Sequence, residues 1–438
     1  MIAVSIGVAM SSLDTAIANT ALPAISAQLG ATPADSVWVI TVYQLAMVAT
    51  LLPAAALGEI LGYRRVFIFG LGLFTLASLA CASAWSLPTL VCARLFQGVG
   101  AAAMMGVNTA LLKAIFPANR LGRALGTNAM VVATGFALGP TLASTVLALW
   151  SWPWLFAINV PLGLVAFVLG RQRLPETVKA THKVDLLTAV YNVFAFGFLI
   201  LALGEGAHLA NPLAILGELA VALVFFVLLL RRQAGHRAPM LPVDLLRRPL
   251  FSLSIVTAIF TFATQGLAFV SLPFYFEGAL GRSPIETGFL MTPWAVLVGC
   301  MAPIAGRLSD RYSPGALGGI GLALLASGML TLVAMPASPG VFDICWRMAL
   351  CGIGFGFFQA PNIKAIMGSA PPERSGGASG SVGMARLLGQ SSGGALVALC
   401  FTISSVHGAA SALWLGAGFA AVASVASFSR VLVARRGA

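Results

Sequence analysis

Apolar residues along this chain come in runs of about twenty, separated by short stretches that hold most of the charge. Runs of about that length, at ~1.5 Å of helical rise per residue, match the hydrocarbon thickness of a bilayer. Fourteen runs stand out, at 2–23, 36–58, 66–85, 88–112, 122–149, 154–171, 186–205, 212–230, 251–275, 285–306, 315–335, 341–363, 376–404 and 410–432. Each is predicted to be a helix, because a lone strand in lipid leaves its backbone polar groups unpaired. The pattern therefore predicts an all-α polytopic membrane protein.

Charge orients the runs. With the N-terminus in the cytoplasm, 21 of the 25 Lys and Arg residues fall in cytoplasmic loops and the C-terminal tail, Arg430, Arg435 and Arg436 among them. Cytoplasmic loops carry such an excess of basic residues. Arg282 lies in an outer loop, and Arg94, Arg347 and Arg386 lie inside runs. A missed helix would invert every later loop, so the asymmetry also supports the count. Both termini are expected in the cytoplasm.

Composition agrees: 59% of residues are hydrophobic and 9% charged, and the 47 Gly and 23 Pro suit packed membrane helices. The net charge of +12 is scattered over many loops, so it reflects topology and no nucleic-acid partner is expected. The six cysteines fall inside apolar runs without metal or redox spacing, and the four histidines (His182, His208, His236, His407) do not cluster. No metal and no cofactor is expected. The first run lacks a basic leader, so no cleavable signal segment is expected either.

The chain repeats itself. "AALGEILGYRRVF" follows the second run and "IAGRLSDRYSPGA" closes the tenth, each with an acid, Glu59 or Asp310, beside basic residues. "CARLFQGVGAAAMMGVNTALL" in the fourth run pairs with "CWRMALCGIGFGFFQAPNIKAI" in the twelfth. Two halves of like orientation are a known transporter build. Residues 1–173 are read as an N-terminal six-helix half, 174–248 as an extra helix pair with flanking loops, and 249–438 as a C-terminal six-helix half.

Further motifs carry a family resemblance. They are "LDTAIANTALP" (13–23), "LGEILGYRRV" (57–66), "RLFQGVGAA" (94–102), "GTNAMVVATGFALGPTLAS" (126–144) and "WPWLFAINVPLG" (152–163). In their order and over nearly the whole length, the chain resembles the fourteen-helix drug:proton antiporters of the major facilitator superfamily. Gly126, Gly135, Gly139 and Pro140 match the family's antiporter motif, with Ala143 and Ser144 in place of its final glycine pair. Glu59 and Ala55 depart from the family's loop pattern, to which "GRLSDRY" (306–312) is closer. The resemblance implies the major facilitator fold and exchange of protons for a cationic substrate. It also implies that the antiporter-motif helix forms an interface between the halves that limits leak. The finer likeness is to quaternary-ammonium and methyl-viologen efflux pumps.

Asp14 is the anomaly of the first run. A charged Asp near mid-membrane costs about 2.5–3.5 kcal/mol on insertion scales, so such residues face cavities or partners and mark ion pathways. Counting ~1.5 Å per residue from the run ends puts Arg94 at a similar depth in the outer half. Asp14 and Arg94, with Glu277 at the outer end of the ninth run, are the candidates for proton and cation coupling. Alternatively, Asp14 only bonds a neighbouring helix, Arg94 only braces helices, and Glu277 is an exposed loop-edge acid. Arg347 has its own local partner in Asp343, four residues back, and Glu218 is read as structural.

Glu59, Arg64, Arg65, Asp310 and Arg311 form a candidate cytoplasmic gate, since acids at helix ends can pair with bases across the halves. A solvated basic loop is the plainer alternative. Asn19, Tyr43, Gln44, Met105, Asn108, Gln265, Trp294 and Gln359 are candidate substrate-lining groups, aromatic faces for cations and thioethers for irregular ligands. For any single one of them, facing lipid or packing is the commoner fate.

The function expected is proton-coupled efflux of lipophilic cations by a monomer whose partners are small cationic substrates, protons and the bilayer. The resemblance implies a bacterial cytoplasmic (inner) membrane. The alternatives are a transporter of another small metabolite, a membrane-embedded enzyme and a transport-dead sensor. No His or Cys cluster or phosphate-cradling loop supports an enzyme.

Overall fold

The computed structural model describes residues 1–438 apart from 178–185, 208–210, 234–242, 337, 372–373, 405–406 and 437–438. His182, His208 and His236, with Lys179, Lys183 and Arg237 of the basic loops, lie outside the described residues. Among the described residues every regular element is helical. The chain forms two units, Met1–Ala234 and Gly235–Ala438.

The first unit holds α1 (Ile2–Leu29), α2 (Pro33–Ser36), α3 (Trp38–Leu61), α4 (Tyr63–Ala82) and α5 (Leu87–Ile115). It continues with α6 (Ala118–Leu149), α7 (Pro153–Ala157), α8 (Asn159–Arg173), α9 (Leu186–Ala207) and α10 (Pro212–Gln233). The second unit holds α11 (Val243–Leu246), α12 (Pro249–Phe274) ending in a π-helical turn (Tyr275–Ala279), α13 (Pro284–Leu308), α14 (Pro314–Val333), α15 (Val341–Ser369), α16 (Ser375–Ile403) and α17 (Gly408–Arg436). The extra pair, α9 and α10, therefore groups with the first unit, where α9 packs on α3, and α11 groups with the second.

Thirteen spans among the described residues are long and apolar enough to cross a membrane, α2–α3 and α7–α8 each making one. The remaining long helix, α16, has 29 residues but is rich in Gly and Ser and carries Arg386. The count agrees with the fourteen-helix build expected from the apolar runs.

Local signals explain the breaks. α1 ends where Gly30 turns left-handed, at φ +62°. α5 starts on a capping box between Ser86 and Thr89 with Pro88 in its first turn, and α13 repeats the device with Ser283, Glu286 and Pro284. α3 and α4 join at Gly62, whose φ of +97° an L side chain rarely adopts. The joint is tied down from a distance: the Tyr63 backbone N–H donates to Thr177 Oγ1 at 2.9 Å.

Two close helix contacts set the geometry of the first unit. A Cβ at Gly98 would lie 2.4 Å from the Tyr43 carbonyl, so α5 and α3 touch through backbone there. A Cβ at Gly139 would lie 2.3 Å from Ala16 Cβ, and one at Gly135 would lie 3.2 Å from Ser12 Cβ. Gly135 and Gly139 of the antiporter motif thus seat α6 on α1 within the first unit. Pro140 sits inside α6 beside them, while the surroundings of Gly126 lie outside the described side chains.

The second unit packs around Trp294, which is fully buried with its ring edge-on to Phe269 at 5.3 Å and its backbone against Gly352 of α15. Arg347 meets Asp343 at 3.0 Å, as its spacing predicts. Arg430 requires a correction. Counted with the cytoplasmic tail, it is instead 1% exposed inside α17. Its Nη1 donates to Ser254 Oγ at 3.0 Å and Asn362 Oδ1 at 2.6 Å, and its Nη2 donates to Ser427 Oγ. A positional count cannot distinguish a helix-end cation that reaches water from one that turns inward to neutral acceptors.

Candidate functional site

A buried polar cluster in the first unit is built on α1, α3, α4, α5 and α8. Asp14 of α1 is 1% exposed and Arg94 of α5 is 0% exposed, with Arg94 Nη1 2.5 Å from Asp14 Oδ2. The similar depth expected from run lengths becomes direct contact. Arg94 Nη1 also donates to Gln97 Oε1 at 2.6 Å, and its Nε donates to the Val39 carbonyl at 3.0 Å.

The second carboxylate oxygen is held separately. Asp14 Oδ1 accepts from Gln97 Nε2 at 2.8 Å and from Asn159 Nδ2 at 3.0 Å. Gln97 Nε2 also reaches Ser78 Oγ at 2.9 Å, and the Cys81 thiol donates to Gln97 Oε1 at 3.5 Å. Asp14 therefore meets one cation and two amide donors from three points on two other helices. The idealised cost of taking one such ion from water to a dry interior is ~20 kcal/mol, which only a close partner and further hydrogen bonds can offset.

Aromatic faces complete the pocket around the cation. The Arg94 guanidinium lies 4.0 Å from the Tyr43 ring centroid and 5.5 Å from that of Phe156. Its Nη2 has no hydrogen-bond partner among the described residues. Tyr43 O–H and Ser11 Oγ share a bond of 3.1 Å, and Ser11 Oγ donates to Met105 Sδ at 3.7 Å. Tyr43, expected among lining groups, thus lies against the Arg94 cation, and Met105 reaches it only through Ser11.

Amide oxygens of Asn19, Gln44, Asn108 and Asn159 are buried without a hydrogen-bond partner among the described residues. Asn108 Nδ2 donates to Asn128 Oδ1 at 3.2 Å. In the second unit Gln265 Oε1 accepts from Gln390 Nε2 at 2.9 Å, Trp294 is fully buried, and Gln359 is half-buried. Glu277 sits in the π-helical turn after α12, partly exposed.

Two of the gate residues, Arg64 and Asp310, find partners inside their own units. Arg64 Nη2 donates to the Arg171 carbonyl at 2.5 Å and Arg64 Nη1 lies 3.6 Å from Glu176. Asp310 meets Lys364 at 2.6 Å, and Lys364 also donates to the Ser309 carbonyl. Glu59 sits near the end of α3, Arg65 in the first turn of α4 and Arg311 just after α13.

Gln97 and Asn159 are the functional candidates that sequence reasoning missed. Gln97 lies three residues after Arg94 in "RLFQGVGAA", and Asn159 lies in "WPWLFAINVPLG". The available signal was their polarity inside apolar helices, with Gln97 one turn from Arg94 on the same face.

A polytopic helical protein with a buried acid–base pair inside one bundle has the construction of a membrane transporter. The model of the Major Facilitator Superfamily matches residues 4–394, and the chain belongs to that family. It is 49% identical over 433 residues to the uncharacterized transporter YebQ of Escherichia coli K12, covering 98% of this chain and 95% of the relative. It is 29% identical to the riboflavin transporter RibZ of Clostridioides difficile, over 86% and 82% of the two chains. It is 31% identical to the multidrug resistance protein Stp of Mycobacterium tuberculosis, over 91% and 74%. Among solved structures, an inward-facing bacterial homologue of the lysosomal transporter Spinster shares the fold, with TM-score 0.71, 12% identity and 98% and 95% coverage. The chain is a multi-pass membrane protein and a transporter of this superfamily.

Proposed function

We propose that the protein is a proton-coupled exporter of lipophilic cations, such as quaternary ammonium compounds and dyes, in a bacterial inner membrane with both termini cytoplasmic. The observation that carries this reading is the enclosed Asp14–Arg94 pair with Gln97 and Asn159 on the same carboxylate. A carboxylate at this depth takes a proton or keeps its charge according to its neighbours. Movement of α5 or α8 relative to α1 removes donors from Asp14 and so changes its affinity for a proton or an organic cation. With Asp14 only 1% exposed, exchange requires such movement, as alternating access provides. The multidrug resistance relative favours this cargo. Glu59, Arg64, Arg65, Asp310 and Arg311 close the cytoplasmic side in this scheme, and the pump works as a monomer without a cofactor.

The test is ethidium efflux in everted vesicles, with and without a collapsed pH gradient. Asp14→Asn is expected to abolish gradient-driven efflux. Efflux that persists in Asp14→Asn sinks the reading.

A second reading is favoured by the charge balance of the site. Arg94 neutralises Asp14 within the protein, which suits a neutral or anionic polar metabolite, and RibZ is named for such a cargo. Uptake of radiolabelled riboflavin into the same vesicles, without ethidium efflux, would select it.

A further inference from the structure

The first unit carries a groove of about 680 Å³ between α4 and α8, beside the Gly62 joint. Its lining is ordered along the helices. Arg64, Arg65 and Arg171 stand at one end, and Phe69, Gly72, Leu73, Leu76 and Phe167 follow below. Arg64 is engaged by Glu176 and the Arg171 carbonyl. The Arg65 and Arg171 guanidiniums are exposed and have no ion pair or hydrogen bond among the described residues. Among the described lining residues, one acid, Glu176, therefore accompanies three arginines.

The apolar part opens sideways. Phe69 is 64% exposed and Leu76 is 68% exposed, on a helix whose composition places it in the membrane. From Arg65 to Leu76 the helix rises ~16 Å at 1.5 Å per residue. That is about half of the ~30 Å hydrocarbon core, the depth of one leaflet. The floor is Gly72, where a Cβ would already touch the Phe167 ring at 3.4 Å. A cationic rim over an apolar slot one leaflet deep complements an amphiphile with an anionic head, and basic pockets between spanning helices hold such headgroups.

We propose that this groove binds an anionic phospholipid, its phosphodiester at Arg65 and Arg171 and an acyl chain along Phe69, Gly72, Leu73 and Leu76. The lipid fills the space between α4 and α8 and supplies a counter-charge for Arg65 and Arg171, which have no ion pair among the described residues. The site is separate from Asp14 and makes no claim on the transported cargo.

The experiment uses the purified full chain in mixed micelles with equal amounts of phosphatidylglycerol and phosphatidylethanolamine, and counts retained lipid by native mass spectrometry. Preferential retention of phosphatidylglycerol is expected. Arg65→Gln/Arg171→Gln should reduce that retention about 10- to 30-fold, since each basic residue near an anionic headgroup is worth roughly a factor of five. Gly72→Leu, which leaves both guanidiniums in place and fills the slot, should reduce it as well and guards against a double variant that merely misfolds. Wild-type retention in both variants overturns the proposal. So does equal thermal protection by inorganic phosphate and phosphatidylglycerol, because the acyl chain would then add nothing.

Discussion

Arg94 Nη1 and Asp14 Oδ2, eighty residues apart in sequence, lie 2.5 Å from each other with both side chains out of solvent. Removing one partner from a buried pair strands the other charge, at a cost of about 3–5 kcal/mol. Arg94→Met alone should destabilise by about that much. Asp14→Asn/Arg94→Met should recover most of the loss, because no stranded charge remains. Thermal unfolding of the four proteins in detergent checks this, and purely additive losses would show that the two residues are not coupled.

Asn159 predicts a separable effect. Its amide is one of three donors on Asp14. A hydrogen bond to a charged group is worth about 1.5–3 kcal/mol. Asn159→Leu should cost stability in that range and impair gradient-driven efflux while leaving Arg94 on Asp14. Wild-type stability and flux in this variant would remove Asn159 from the site.

The seating of α6 on α1 predicts a sharp difference between glycines. Gly139→Ala places a methyl 2.3 Å from Ala16 Cβ, closer than real Cβ contacts, so the helices must part. A loss of about 1–3 kcal/mol is expected from such overpacking. Gly217 has nothing within 4 Å of its ideal Cβ, and Gly217→Ala in α10 should be neutral or stabilising by about 0.5–1 kcal/mol. Melting curves decide the comparison.

Asp244 carries a pH prediction. Arg374 grips it through two bonds, Nε at 2.8 Å and Nη2 at 2.7 Å, and this hydrogen bonding holds the Asp244 carboxyl below its ordinary value. The folded-state pKa is thus lower than the unfolded one. The stabilisation is complete above the unfolded value, about 3.9, and is lost as pH falls through the folded one. With the Asp244 side chain 42% exposed, solvent screening limits the effect to about 1 kcal/mol or less. Asp244→Asn should be less stable than wild type at neutral pH, and the two melting curves should converge in acid. A constant gap across pH would contradict this.

Arg430 is buried among neutral acceptors, Ser254, Asn362 and Ser427. Arg430→Ala should destabilise by about 3–5 kcal/mol, leaving those groups unpaired beside a cavity. Arg430→Lys should not restore the wild type, since an ammonium cannot reproduce the planar fork. Full rescue by Lys, read by thermal unfolding, would assign the residue a role of charge alone.

The sequence by itself determined the helical class, the spans and the two charges that the structure pairs, Asp14 and Arg94. Asp14 and Arg94 were legible because a charge in an apolar run is costly and stands out against its neighbours. Gln97 and Asn159 were not, because an amide in a helix reads the same whether it faces lipid, a packed neighbour or a carboxylate. Arg430 was misplaced for the same reason: sequence gives a position along a helix and not the face it turns inward. Tertiary structure decided those faces. Gly98 against the Tyr43 carbonyl sets the rotation of α5 on α3, and Gly139 against Ala16 sets that of α6 on α1. Only contact between helices fixes rotation about their axes, and that rotation brings Arg94, Gln97 and Asn159 onto one carboxylate.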